Sequence, residues 1–118
     1  MSRRDSQLTL RQMRGYAREA MDMVHGRTRA DLDSDRMLNL ALVRLLEVTG
    51  EAANRVPTEV RLRFSQIPWP QLIGLRNHLI HGYDQVDFDV LWQIVTRDLP
   101  SLISELERIL ALPEETES

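Results

Sequence analysis

The feature that most constrains this chain is the apolar pattern between residues 38 and 56. Leu38, Ala41, Leu42, Leu45, Val48, Thr49, Ala52 and Val56 recur at steps of three and four. That spacing is the period of an amphipathic helix. Leu40, Val43 and Leu46 add apolar surface on other sides. A helix that is apolar almost all round belongs in the centre of a bundle or in a subunit interface. Asp33 or Ser34 stands where its cap should be, and Pro57 ends it.

The same period appears on both sides of it. Residues 8–24 carry Met13, Tyr16, Ala17, Ala20 and Val24 at helical spacing, and His25-Gly26 closes the pattern. Arg11, Arg14 and Arg18 share the polar face of this helix. Such a stripe suits RNA, but the neighbouring Glu19 and Asp22 make a solvated face the better reading. Residues 58–65 read as a short helix. Ile67-Pro68-Trp69-Pro70 is a turn, and Pro70 suits the start of the helix that follows and stops at Gly82. Asp87 can cap a last helix through Leu91, Trp92, Val95, Leu99, Leu102, Ile103, Leu106 and Leu110. Pro100 must kink that helix or divide it in two.

No strand period competes, so the expectation is an all-α, up-down bundle of four main helices plus a short one. At 118 residues a single domain spanning 1–118 follows, with frayed tails at 1–6 and 113–118. The N-terminal residues lack the apolar run of a signal peptide. No apolar run approaches the ~18 residues of a membrane span. The sequence has no cysteine, which removes disulfides and thiolate metal sites, and the cytoplasm is the expected compartment. The net charge of −3 argues against general coating of nucleic acid but leaves room for a local phosphate site. All fifteen basic residues are arginine, a bias that gene base composition explains as well as function does.

The chemistry concentrates in Leu75-Arg76-Asn77-His78-Leu79-Ile80-His81-Gly82-Tyr83. His81 is a side chain able to take and give a proton near neutral pH. At a helix C-terminus its imidazolium would be favoured. Arg76 is a permanently charged planar donor suited to phosphate. On a helical wheel Arg76 falls between two apolar groups, so it should face an internal acid such as Glu51, a second subunit or an anion. Arg76 and His81 lie roughly 140° apart on an ideal helix, so one helix does not aim both at one atom. Two helices brought together by a two-fold axis could. Asn77 shares a face with His81. Glu51 and Arg55 read as an ordinary surface pair. His78, His81 and Asp84 make a poor metal set without further carboxylates, and no metal or other cofactor is expected.

Arg76-Asn77-His78-Leu79-Ile80-His81-Gly82-Tyr83 resembles the Arg-x4-His-x-Tyr motif of HepT-like toxins, small all-α proteins of the HEPN ribonuclease superfamily. Leu46-Glu47-Val48-Thr49-Gly50-Glu51-Ala52-Ala53 resembles that family's helix with a Gly-Glu-Ala core. Ile67-Pro68-Trp69, Leu91-Trp92-Gln93-Ile94-Val95 and Asp98-Leu99-Pro100-Ser101-Leu102 extend the resemblance over residues 8–112. The resemblance implies a homodimer with an RNA cleft and metal-independent cleavage by Arg76 and His81, supported by Asn77. Glu51 would stand behind them. It also implies the toxin half of a type VII-like toxin–antitoxin system. The antitoxin would be a nucleotidyltransferase of the MntA type that transfers AMP to Tyr83. The alternative within the same fold is a non-catalytic partner module for such a nucleotidyltransferase.

Overall fold

The computed structural model describes residues 3–81 and 85–113. It is an all-α bundle with one small hairpin. Helix α1 (Arg3–Val24) is longer than its apolar pattern suggests, because polar residues extend it at the N-terminus. Gly26 ends it in the left-handed region, at φ 74°, where a side chain would be strained. A single helical turn, α2 (Asp31–Ser34), precedes the central helix α3 (Arg36–Arg55). The cap of α3 is Asp35, not Asp33 or Ser34, and its carboxylate accepts from the Leu38 N–H at 3.0 Å. The extra turn consumes the two residues that looked like caps.

Helix α4 (Thr58–Arg63) is the expected short helix. The next rod is broken. Helix α5 (Trp69–Ile73) carries Pro70 in its first turn, and Gly74 separates it from α6 (Leu75–Leu79). Strands β1 (Ile80–His81) and β2 (Gln85–Val86) form an antiparallel ribbon, with Ile80 opposite Val86 and His81 opposite Gln85. Helix α7 (Phe88–Gln93) starts from the cap of Asp87, as its sequence suggests: one carboxylate oxygen accepts from the Asp89 and Val90 N–H groups. The last rod is not divided at Pro100: α7 passes through a π-helical turn at Ile94–Asp98 into α8 (Leu99–Leu110), and Pro100 lies in the first turn of α8. Proline has no N–H for the carbonyl four residues back, and the ladder slips so that the Leu99 N–H bonds Ile94 O.

The core lies where α1 packs on α3 and α8 and α3 packs on α5 and α6. Met13, Ala17, Leu42, Leu46, Ala52, Leu79, Leu91, Val95 and Leu106 are buried in it. Helix α3 is central but not enclosed: Met37 and Leu40 remain 83% and 51% exposed. Trp69 staples α4 to α5, its indole N–H shared between Arg61 O and Phe64 O at 3.1 Å each. Arg18 is held by Glu107, which supports the solvated reading of the α1 arginine face. Among the described residues no helix is long and apolar enough to cross a membrane.

Candidate active site

The residues singled out by sequence are divided between a helix and a hairpin. Arg76, Asn77 and His78 lie on α6, all exposed. Helix α6 ends at Leu79, so His81 lies on β1 rather than at a helix C-terminus. Three expectations are therefore corrected. The dipole argument for an imidazolium does not apply, and the 140° wheel angle between Arg76 and His81 has no meaning once the backbone is extended. Asn77 and His81 likewise do not share a helix face. The physical reason is that the helix closes three residues before Gly82. The chain is then held extended by β2 and by the Asp87 N–H, which donates to Leu79 O at 2.7 Å. Tyr83 and Asp84, with Gly82, lie outside the described residues.

Arg76 is not buried among its apolar neighbours. Its side chain is 70% exposed, and its ion pair is with Glu47, Nε to Oε2 at 3.9 Å. The expected partner, Glu51, pairs instead with Arg44 at 3.7 Å, and Arg55 donates to Gln12 Oε1 at 3.3 Å. Glu47, Glu51 and Asn54 of α3 line a groove of about 250 Å³ with Ile73 and Arg76 on its other wall. Nothing in the sequence singled out Glu47; it is one of several α3 charges, and the contact joins two distant helices.

The hairpin that carries His81 is braced from outside. Arg29, in the α1–α2 connection, bonds Asp89 at 2.7 Å and Asp33 at 3.1 Å. Its guanidinium also sits 5.9 Å from the centroid of the Phe88 ring. The start of α7, just beyond β2, is thereby tied to the far loop. Hydrogen bonds to Asp89 and then Asp33 push the Arg29 pKa up. Beside it Arg27 bonds Asp35 at 2.6 Å and pairs with Asp31 at 3.4 Å. The Arg27 bond, and then the Leu38 N–H, hold the Asp35 carboxyl below its ordinary range. The Thr28 N–H, and then the Arg27 charge, do the same for Asp31.

The fold is an all-α bundle with Arg76 exposed on α6 and His81 on the adjoining strand β1, and comparison with known proteins gives its family. The HepT-like ribonuclease family model matches residues 13–109, so the chain belongs to that family. Similar proteins include "Putative RNase MJ1380" of Methanocaldococcus jannaschii, 33% identical over 91% of this chain and 98% of its own length. "Probable ribonuclease HepT" of Thermococcus cleftensis is 35% identical over 77% of this chain and 86% of its own. "Putative RNase TTE0752" of Caldanaerobacter subterraneus is 34% identical over 76% and 80% respectively. No solved structure matches the chain significantly.

Proposed function

We propose that this ribonuclease-family protein is a metal-independent endoribonuclease that acts as the toxin of a toxin–antitoxin pair. Arg76 carries the reading. Its guanidinium is accessible, and its one ion pair among the described residues is long. It is a cation available to an incoming phosphate rather than one consumed by the fold.

RNA can be cut by its own 2′-oxygen. That oxygen loses its proton to one neutral imidazole and bonds to phosphorus, the bond to the 5′-oxygen breaks, and a second, protonated imidazole gives its proton to the departing oxygen. His81 from each of two protomers supplies the base and the acid. Arg76 stabilises the charge that grows on the phosphate oxygens. Asn77, exposed on α6, contacts the same phosphate or orients His81. Glu51 contributes from the groove behind.

The two-copy site is supported by the surface beside the hairpin. Met37 and Leu40 are exposed one turn apart on α3. Leu40 and Val43 form with Val86 and Phe88 a patch that runs onto β2. A second copy covering this patch would bring the two hairpins together. Neutralisation by a nucleotidyltransferase antitoxin, through AMP transfer to Tyr83, completes the reading. The new phosphodiester would occupy the guanidinium of Arg76 and the nucleoside would fill the cleft.

The test is cleavage of RNA by purified protein in excess chelator, with analysis of the product ends. Cleavage leaving 2′,3′-cyclic phosphate supports the mechanism. Activity lost in chelator and restored by a divalent metal overturns its metal independence.

A further inference from the structure

We propose that Glu47 is a positioning residue for Arg76: it turns the guanidinium so that the edge opposite Glu47 meets the RNA phosphate. The inference rests on the ribonuclease reading above. Glu47 is only 26% exposed while Arg76 is 70% exposed, so the carboxylate is the half-buried member of the pair and the guanidinium the one that faces solvent. A guanidinium offers phosphate two donor edges, one through Nε and one through its two terminal nitrogens. Glu47 Oε2 lies on the Nε side, at 3.9 Å. The terminal edge is left for bidentate contact. At that distance the pair is an ionic attraction and not a hydrogen bond, so it biases rotation without tying up donors.

The placement of the two residues is built into the bundle. Glu47 is one turn before Gly50 on α3, and a Cβ on Gly50 would stand 2.5 Å from Leu72 O. The absence of that carbon lets α3 approach α5 closely, and α5 leads through Gly74 straight into α6 and Arg76. Glu51 sits on the same groove, but its charge is directed to Arg44.

The experiment compares native protein with Glu47→Gln and Glu47→Asp in RNA cleavage, and follows the Arg76 Nε–Hε signal by nitrogen-15 NMR, assigned by its loss in Arg76→Lys. The proposal expects Glu47→Gln to melt like the native protein, to lower kcat about tenfold with KM nearly unchanged, and to move the Arg76 signal to the position of free arginine. Glu47→Asp, which keeps the charge on a shorter stem, should recover part of kcat. Unchanged kcat overturns it, as does an unmoved NMR signal. A fall in KM at constant kcat would make Glu47 a competitor of RNA and also overturns it. So does a loss of activity that only follows a loss of folded protein. If the signal moves but native protein cuts no RNA, the ribonuclease reading has failed and the positioning role falls with it.

Discussion

Gly50 lies against the backbone oxygen of Leu72, where the central helix passes the segment that leads into the motif. A methyl group at Gly50 would be 2.5 Å from that oxygen, inside any permitted contact, and the obstacle is main chain. Gly50→Ala must therefore separate α3 from α5. It should cost about 1–3 kcal/mol, the range for overpacking a tight interior. It should also displace Arg76 and lower cleavage. Urea unfolding checks the first effect and activity per folded molecule the second; a variant as stable as native protein would show that the approach is looser than described.

The cluster of Arg27, Asp31 and Asp35 predicts an acid-sensitive fold. Both carboxyls have folded pKa values below their unfolded ones, Asp31 chiefly through the Thr28 N–H and Asp35 chiefly through Arg27. A depressed carboxyl pKa adds stability that is complete at neutral pH. That stability disappears as pH falls below about 4, through the folded values. Melting temperature should drop over that window. Asp35→Asn keeps an oxygen to cap α3 but removes the charge, so its melting temperature should depend less steeply on acid pH. Equal slopes for native and variant protein would contradict this.

Much of the fold is legible in the sequence, and the particular residues say why. The cap of Asp87 and the stop at Gly26 are local effects of one residue on its own backbone, and each appears where expected, whereas Pro100 leaves the rod continuous, with a π-helical turn just before it. The hairpin is a different case. Strands of two residues carry no readable period, and Ile80 continues an apolar pattern equally compatible with a helix. The pattern therefore places His81 at a helix end that it does not occupy. The pairing of Arg76 with Glu47 depends on how α3 and α6 cross, which no local pattern encodes.

The apolar patch on α3 predicts a dimer. Light scattering at micromolar concentration should give twice the chain mass. Leu40→Arg should shift it towards monomer and abolish cleavage while preserving the helical circular dichroism, because Leu40 is half exposed and contributes little to the core. A native monomer would contradict the shared site.

Tyr83 is the residue proposed to be modified, and the proposed mechanism gives its phenol no part in proton transfer. Tyr83→Phe should cut RNA at close to the native rate yet escape covalent neutralisation. Mass spectrometry after incubation with the cognate nucleotidyltransferase and ATP should show AMP increments on the native peptide containing Tyr83 and none on the variant. An unmodified native peptide, with inhibition still complete, would assign neutralisation to binding alone.

The most direct measurement is the rate at which purified His81→Ala cuts RNA, set beside native protein at equal dimer concentration. Native protein should cut RNA and the variant should lose about 100-fold or more of that rate, the scale of removing a general acid–base group. Helical content and dimer mass should be unchanged. A variant that cuts at the native rate, or native protein that cuts no RNA, would contradict the proposed mechanism.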